Sequence, residues 1–262
     1  MKRVALVTGG TSGIGFETAR ILSDLGYTVY EFSRREAQFG FMRHLCVDVT
    51  DEAHVLSAVK EILDCEGRID LLVNNAGFGI SGAFEFTGSA DAHRLMEVNL
   101  FGMNNTIRAV LPAMRAQGSG RIVNLSSVAA VFPIQFQAWY SISKAAVSAM
   151  SIALANEVRP YGICVSCVLP GDARTGFTDA RKKSIVGDDA YGGRISASVR
   201  VMEKDERGGI PPSAVAAKVV RAATVKHPAP TYIAGGTYRL LCLLGRLLPS
   251  RLVRFALSKM YH

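Results

Sequence analysis

The order of apolar and amphipathic segments along the chain is the feature that most constrains its fold. Seven short runs have the composition of β-strands: Val4–Thr8, Thr28–Ser33, Arg43–Asp48, Leu71–Asn74, Arg121–Leu125, Ile163–Leu169 and Thr231–Ala234. Several are apolar through their centre, as strands covered on both faces are. Between them apolar residues recur at helical spacing, as at Ile14, Thr18, Ile21, Leu22 and Leu25, and at Val55, Val59, Ile62 and Leu63. The alternation predicts an α/β fold, a single doubly wound parallel sheet of about seven strands with helices on both faces.

The length and hydrophobicity of the chain favour one domain over residues 1–262. The 262 residues are 49% hydrophobic, which is enough for one sizeable core, and no repeat or linker divides them. The first strand begins at Val4 with no signal peptide before it, and no run of 18 apolar residues predicts a membrane span. We therefore expect a cytoplasmic protein, with membrane association left open.

Residues 172–210 form the one long stretch without clear periodicity. The segment is polar and contains several glycines. Long irregular segments of compact domains are usually lids or binding loops, so this one is predicted to border a substrate site.

Two of the five cysteines, Cys164 and Cys167, have the spacing of a metal-binding or redox pair. They lie in an apolar, β-branched run, however, and residues three apart on a strand point to opposite faces. We therefore interpret them as structural thiols and predict no metal site.

The net charge of +8 is concentrated at one end of the chain. Nine of the thirty Lys and Arg residues follow Glu206, and no Asp or Glu does, so the first 206 residues have a net charge of −1. A nucleic-acid partner is not predicted, because such proteins carry a basic stripe together with a binding motif on the fold.

Residues 8–15, "TGGTSGIG", lie between the first strand and the first helix. A glycine-rich turn in this position lets backbone N–H groups approach a pyrophosphate at the helix N-terminus. The glycine spacing differs from the common G-x-G-x-x-G pattern, and tight packing is the alternative explanation. The candidate cofactor-binding residues of this turn are Gly9, Thr11, Ser12, Gly13, Ile14 and Gly15.

The end of the second strand indicates which dinucleotide would bind. A site selective for NAD usually places an acid there, whereas this chain has Ser33, Arg34 and Arg35. Guanidinium groups bind a 2′-phosphate through charge-assisted hydrogen bonds, so NADP(H) is the expected cofactor. Two solvated arginines are the alternative. Glu31 is expected on the same face as Ser33 and Arg35, which is a caution against this interpretation.

With these motifs the chain resembles the short-chain dehydrogenase/reductase family over nearly its whole length. The resemblance rests on "TGGTSGIG" at 8–15, "DVTD" at 48–51, "NNAG" at 74–77, "VNLFG" at 98–102, "SS" at 126–127, "YSISK" at 140–144 and "PGDART" at 170–175. Each motif is weak singly, but their order and spacing are specific to the family.

The resemblance implies a Rossmann-type domain with a nicotinamide cofactor and a catalytic tetrad. The tetrad falls on Asn99, Ser127, Tyr140 and Lys144. The implied cofactor contacts, besides the glycine turn, are Asp48 and Val49 at the adenine, Asn75, Ala76 and Gly77 along the cofactor, and Pro170, Gly171 and Thr175 at the nicotinamide, with Tyr140 and Lys144 beside it.

These residue types suit the reduction of a ketone, in which the cofactor supplies hydride and the protein supplies a proton. Lys144 is one helical turn from Tyr140 and is expected to lower the pKa of the tyrosine toward neutrality. Ser127 can hydrogen-bond the substrate oxygen, and by resemblance Asn99 supports a water chain from Lys144. A surface pair on a helix is the alternative explanation of Tyr140 and Lys144.

The candidate substrate pocket is mostly apolar. Its predicted members are Ile80, Val128, Ile134 and Phe177, with Gln135 and Asp172 as polar groups, although ordinary core packing could explain each of them. A small lipophilic ketone or secondary alcohol fits such a wall, and a hydroxysteroid or bile acid is favoured. The alternatives are a keto-lipid such as acyl dihydroxyacetone phosphate at a membrane surface, and a non-catalytic NADP-binding partner protein.

Two further surfaces are predicted to take partners. The tail 238–262 is leucine-rich, carries five basic residues and is expected to form two short helices divided at Pro249. It could cover the cleft, pack on another subunit or lie on a membrane. The helix after Tyr140 is rich in Ala and Ser, and small residues let another helix approach closely. The resemblance implies that this helix forms the interface of a homodimer or homotetramer, and simple helix propensity is the alternative explanation.

Overall fold

The computed structural model describes residues 2–249 and 251–252. Its strands are β1 Val4–Thr8, β2 Thr28–Ser33, β3 Arg43–Cys46, β4 Leu71–Asn74, β5 Ile80–Ser81, β6 Gly120–Leu125, β7 Ile163–Pro170, β8 Lys182–Lys183 and β9 Thr231–Ala234. Its helices are α1 Gly13–Asp24, α2 Glu52–Glu66, α3 Ser89–Met96, α4 Gly102–Gln117, α5 Ala138–Val158, α6 Phe177–Ala180, α7 Arg194–Arg207, α8 Pro212–Thr224 and α9 Gly236–Leu247.

Seven strands form one parallel sheet in the order β3-β2-β1-β4-β6-β7-β9. This confirms the predicted fold class. The order reverses between β1 and β4, and ligands of open α/β sheets bind in the crevice that such a reversal opens at the carboxyl ends of the strands. The predicted third strand is two residues too long, because Asp48 already forms a turn with Thr50.

The sheet separates two hydrophobic clusters. Helices α2, α4 and α5 pack on one face, with fully buried Leu6 and Phe32 of the sheet among their contacts. Helices α1 and α8 pack on the other face around Val7. Leu25 was expected on the buried face of α1 but is exposed, because the helix ends at Asp24. Both faces are therefore covered, and the open side of the domain is the strand-end crevice.

The segment 172–210 is more ordered than the sequence indicates, and the prediction of an irregular loop was wrong. It contains α6, the short strand β8 and the 14-residue helix α7. Ile195, Val199 and Met202 are buried at helical spacing on α7. The carboxylate of Asp188 accepts hydrogen bonds from the backbone N–H groups of Ile195 and Ser196, in the first turn of α7. Because the other faces of α7 are charged, this narrow apolar stripe is easily overlooked in the sequence.

The start of the C-terminal tail forms α9, and Pro249 follows shortly after the helix ends. The first of the two predicted short helices is therefore present, whereas residues 253–262 lie outside the described residues. Within residues 2–249 and 251–252, no helix is both long enough and apolar enough to cross a membrane. Cys46, Cys65, Cys164 and Cys167 are free thiols, and the described residues contain no metal-binding cluster of His, Cys, Asp or Glu.

Candidate active site

A cleft of about 980 Å³ opens at the carboxyl ends of the strands. It brings together most of the residues that the sequence predicts to act on a ligand. Those lining it are Gly9, Thr11, Ser12, Gly13, Ile14, Ser33, Arg34, Arg35, Asp48, Val49, Asn75, Ala76, Gly77, Ile80, Ser127, Val128, Ile134, Tyr140, Lys144, Pro170, Gly171, Asp172, Thr175 and Phe177. Three predicted residues, Gly15, Asn99 and Gln135, do not line it.

The glycine turn is packed too tightly for side chains. A side chain at Gly15 would place its Cβ 2.3 Å from the carbonyl oxygen of Gly9, and Gly9 itself has a φ of +66°. The Asn75 amide donates hydrogen bonds to the carbonyl oxygens of Thr8 and Gly9 at 3.0 and 2.9 Å. Gly15 thus supports the turn from behind, while its neighbours face the cleft.

Helix α1 begins at this turn with free N-terminal groups. Its N-cap, Ser12, makes no side-chain capping bond, and its first turn contains no acid. The first backbone N–H groups of such a helix, together with its dipole, form a site for an anion. Its chemistry therefore fits the pyrophosphate that the sequence predicts.

Glu31 lies behind the same turn and does not face the cleft. Its side chain is fully buried, and Oε1 accepts a hydrogen bond from the backbone N–H of Gly10 at 2.8 Å. Its Oε2 lies 2.7 Å from Nδ1 of His44. Because its carboxylate is committed to the protein, Glu31 does not compete with the exposed Arg34 and Arg35, which line the cleft.

Asp48 and Val49 are held in place by hydrogen bonds at the far end of the cleft. Asp48 Oδ1 accepts from the backbone N–H and the hydroxyl of Thr50 at 3.0 and 2.8 Å. Burial raises the pKa of Asp48, but these bonds and the charge of Arg34 outweigh it, so that its pKa lies below the usual value. The Asn105 amide donates to the carbonyl of Val49 at 3.0 Å, a positioning contact that the sequence motifs do not include.

Ser127, Tyr140 and Lys144 meet where β6 ends and α5 begins. The Ser127 hydroxyl lies near enough to the phenol of Tyr140 to act on its pKa as a hydrogen-bonding group. The ammonium nitrogen of Lys144 donates to the carbonyl oxygen of Leu125 at 2.9 Å and lies 5.9 Å from the centre of the Tyr140 ring. The 140/144 spacing therefore places both groups on the cleft side of α5, as the sequence predicts.

The pKa of Tyr140 differs from the expected direction. Burial raises the pKa of Tyr140 to about 12, although the hydrogen bond with Ser127 acts in the opposite sense. Burial also lowers the pKa of Lys144 to about 8. The expectation that Lys144 lowers the pKa of Tyr140 was wrong for this geometry, since desolvation is the larger effect on both groups.

Asn99 supports the site from behind. It is fully buried in a π-helical turn, Glu97–Phe101, a feature often found at functional sites. Its Oδ1 accepts from the backbone N–H of Phe78, and its Nδ2 donates to the Phe78 carbonyl and the Ser143 hydroxyl. A Cβ at Gly77 would lie 3.0 Å from Asn99 Oδ1 and 3.7 Å from Lys144 Nζ. Asn99 thus fixes the segment that faces Lys144.

The substrate end of the cleft is partly aromatic. The Phe177 ring lies 5.6 Å from the Tyr140 ring, and Ile80, Val128 and Ile134 contribute apolar wall.

The polar group predicted at Gln135 is supplied by a different residue. Gln137 lines the cleft and is buried, and its amide contacts the sulfur of Met202 at 2.9 Å. Phe136, between the two glutamines, has a φ of +58°, in the left-handed region that bulky residues rarely adopt. A backbone conformation so unusual for phenylalanine could not be read from the sequence.

A charged group at this end was also missed. Tyr238 of α9 donates a hydrogen bond to Oδ2 of Asp172. Glu206 of α7 accepts hydrogen bonds from Thr178, at 2.7 Å, and from the buried guanidinium of Arg181. Asp172 belongs to the "PGDART" motif, but Glu206 and Tyr238 lie outside every motif quoted above, so only the tertiary structure brings them to the cleft.

Comparison with known proteins identifies the family. The model of the family described as short chain dehydrogenase matches residues 3–185. A 3-ketodihydrosphingosine reductase of Bacteroides thetaiotaomicron is 39% identical over 263 aligned residues, covering 99% of this chain and 98% of the relative. The structure of a short-chain dehydrogenase from Streptomyces avermitilis has a TM-score of 0.85 and 33% identity, covering 99% and 96% of the two chains.

A more distant structure, ElxO with NADP bound, shares the fold with a TM-score of 0.76 and 24% identity, covering 92% of this chain and all of that one. The family match and the full-length relative confirm the resemblance stated from the motifs. The chain therefore belongs to the short-chain dehydrogenase family and is an oxidoreductase acting on C=O and CH–OH groups.

Proposed function

We propose that the protein is an NADP(H)-dependent reductase of a long-chain keto-lipid, interconverting the ketone and a secondary alcohol. The observation that carries the proposal is the placement of Ser127, Tyr140 and Lys144 together in a cleft with an apolar and aromatic wall. The full-length likeness to a 3-ketodihydrosphingosine reductase supports a keto-lipid as the substrate class.

Each member of the tetrad has a separate role. A nicotinamide cofactor, when bound in this cleft, would supply the hydride. Tyr140 holds the proton that passes to the carbonyl oxygen, and its raised pKa keeps the phenol protonated at neutral pH. Ser127 donates a hydrogen bond to the same oxygen, where negative charge develops. Lys144 would hold the cofactor ribose, and Asn99 fixes the segment that faces Lys144.

The choice of NADP(H) over NAD(H) rests on Arg34 and Arg35. Both are exposed at the end of β2 and line the cleft, where a 2′-phosphate could accept charge-assisted hydrogen bonds. The acid of this strand, Glu31, is fully buried and bonded to Gly10, so it cannot reach a ribose hydroxyl. The cofactor preference is thus argued from this chain's own residues.

The substrate class differs from the one that the sequence favours. A hydroxysteroid or bile acid suits the apolar wall equally well, but the 39% identical relative is named for a keto-lipid. The keto-lipid, left as an alternative by the sequence, is therefore the better-supported proposal.

A keto-lipid substrate also gives a role to the outer face of α9. Leu240, Leu243 and Leu244 are exposed on it, with Arg239 beside them, and the chain has no acid after Glu206. We propose that this face lies on an anionic membrane surface, where leucines enter the interface and arginines meet lipid phosphates.

Sedimentation with vesicles tests this contact. The doubly substituted protein Leu240→Ser/Leu243→Ser should lose co-sedimentation with phosphatidylglycerol vesicles, whereas Leu56→Ser, a change at an exposed leucine of α2, should keep it. Equal binding by all three proteins would remove the membrane contact from the proposal. Point substitutions are preferable to truncation because Tyr238 of the same helix contacts the cleft.

The proposed homo-oligomer uses the Ala- and Ser-rich helix α5. Ile142 and Ile152 are exposed on it. We expect light scattering to give a dimer or tetramer, and Ile152→Arg to shift it toward monomer; a monomeric wild type would contradict the proposal.

An assay that follows NADPH absorbance tests the enzymatic proposal. The panel contains 3-ketodihydrosphingosine, acyl dihydroxyacetone phosphate, a ketosteroid and a keto bile acid. We expect kcat/KM to be at least about tenfold higher for a keto-lipid than for either steroid. A preferred steroid would restore the hydroxysteroid interpretation, and NADPH binding without turnover would favour a non-catalytic partner protein.

A further inference from the structure

Two carboxylates, those of Asp172 and Glu206, lie at the end of the cleft beside Tyr140. Asp172 and Glu206 both line the cleft, and both raise the pKa of Tyr140 by their charges. Glu206 is compensated, since it forms a salt bridge with Arg181. Lys182, also at the cleft, is paired with Asp91 at 2.6 Å. Asp172 differs from these acids because the charge of Arg181 reaches it without a direct salt bridge.

Asp172 is fixed in one orientation. The Tyr238 hydroxyl donates to its Oδ2, and its carbonyl oxygen accepts from the backbone N–H of Ile210 at 3.0 Å. The Tyr238 ring packs against Gly171, where any side chain would collide with it. No salt bridge joins Asp172 to another residue of the part of the chain described. A carboxylate held this way in a half-buried position is unfavourable unless a cation approaches it.

We propose that Asp172 receives the ammonium group of a protonated 2-amino ketone, so that the keto-lipid reduced by this enzyme is a long-chain amino ketone. The inference rests on the proposed function and specifies its substrate. In such a compound the charged nitrogen is on the carbon next to the carbonyl. When Tyr140 and Ser127 bind the carbonyl oxygen, the ammonium lies at the same end of the cleft as Asp172.

The charges also argue against the other keto-lipid considered, acyl dihydroxyacetone phosphate. Its phosphate is on a carbon next to the carbonyl, where it would meet Asp172 and Glu206. Arg181 is the rival receptor for that phosphate, because its Nε and Nη1 have no hydrogen-bond partner among the described residues. However, the Arg181 side chain is only 1% exposed, lies against the Phe177 ring, and is neutralised by Glu206.

Tyr238 is a positioning residue in this arrangement. Its hydroxyl donates to Asp172, so it should affect substrate binding more than the chemical step. Because it belongs to α9, the helix with the exposed leucines, the cation receptor is anchored by the element proposed to lie on the lipid surface.

Three probes and three variants test the proposal. The probes are 3-ketodihydrosphingosine, its neutral N-acetyl derivative and hexadecanoyl dihydroxyacetone phosphate. The variants are Asp172→Asn, Tyr238→Phe and the matched control Asp205→Asn, which removes a nearby exposed acid that does not line the cleft.

Loss of a hydrogen-bonded charge pair should raise the KM for the amino ketone about 10- to 100-fold in Asp172→Asn. Tyr238→Phe should raise it by a smaller factor with kcat kept. The KM for the N-acetyl probe should stay within about twofold in both variants, and Asp205→Asn should leave all values unchanged. The fluorescence of the single tryptophan, Trp139, can follow binding of the product dihydrosphingosine without any turnover. The affinity for this product should fall in Asp172→Asn and, by a smaller factor, in Tyr238→Phe.

Several results would overturn the inference. One is an equal loss by Asp172→Asn for the amino and N-acetyl probes, and another is a preference of the wild type for the phosphate ester that Arg181→Met abolishes. If Asp172→Asn does not fold, the probe selectivity of Tyr238→Phe decides in the same way. Failure of the proposed function is distinct, because the wild type would then reduce none of the three probes.

Discussion

The carboxylate of Glu31 accepts a hydrogen bond from the backbone N–H of Gly10 at 2.8 Å, in a place where both residues are buried. A strand residue thereby fixes the turn proposed to hold the cofactor pyrophosphate. The fit is close, since a Cβ at Gly10 would lie 2.4 Å from Cγ of Glu31.

Glu31→Ala should therefore weaken both folding and cofactor binding. The change leaves the buried N–H of Gly10 without an acceptor, which costs about 1–3 kcal/mol in the free energy of unfolding. Urea unfolding and NADPH titration measure the two effects. Glu36→Ala, at an exposed position of the following loop, is the control. If Glu31→Ala binds NADPH as the wild type does, the bond to Gly10 has no part in holding the turn.

Arg34→Ala should change the cofactor preference. Loss of a charge-assisted contact to the 2′-phosphate is expected to raise the Kd for NADPH about 10- to 100-fold, while the Kd for NADH stays within about twofold. Calorimetric titration of both cofactors checks this. A parallel loss for NADH would mean that Arg34 acts on the fold of the loop and not on the phosphate.

Lys144 should make the stability of the protein depend on pH. Burial lowers its pKa from 10.5 to about 8, so between these values the unfolded chain binds more protons than the folded one. Stability therefore rises with pH across this window, by roughly 2 kcal/mol from pH 8 to pH 9.5 relative to Lys144→Met. Urea unfolding of both proteins at several pH values measures the difference. If the difference between the two free energies of unfolding does not change with pH, Lys144 keeps an ordinary pKa.

The Tyr140 phenol should titrate later than an ordinary tyrosine in the free protein. Burial raises its pKa to about 12, so the phenolate is nearly absent below pH 10.5. The ultraviolet difference between wild type and Tyr140→Phe should then show no tyrosinate signal from pH 8 to pH 10. A signal with a midpoint near pH 8 would show that Lys144 controls this phenol, as the sequence had suggested.

The sheet could be predicted from the sequence because most of its strands are short runs of apolar residues. Val4–Thr8 and Leu71–Asn74 are continuous apolar runs, and such runs require cover on both faces whatever surrounds them. The glycine turn and the Tyr140–Lys144 pair were equally accessible, because each is a short motif whose residues act on neighbours in the same element.

The rest of the site depends on contacts between distant segments. Asp172 and Tyr238 are 66 residues apart in the sequence, and Thr178 and Glu206 are 28 apart. No local sequence pattern can therefore predict either contact. The direction of the Tyr140 pKa shift could not be predicted from the sequence either. It depends on how completely α5, Phe177 and their neighbours exclude water, whereas the spacing of Tyr140 and Lys144 reports only their separation.

The proposal that Tyr140 is the proton donor is tested most directly by single-turnover reduction in Tyr140→Phe. The variant keeps the ring that packs against Phe177 and removes only the hydroxyl, so NADPH should bind within about twofold of the wild-type affinity. Oxidation of bound NADPH by 3-ketodihydrosphingosine should fall by at least about 1,000-fold. A single-turnover rate within tenfold of the wild type, with NADPH bound normally, would contradict the assignment of Tyr140.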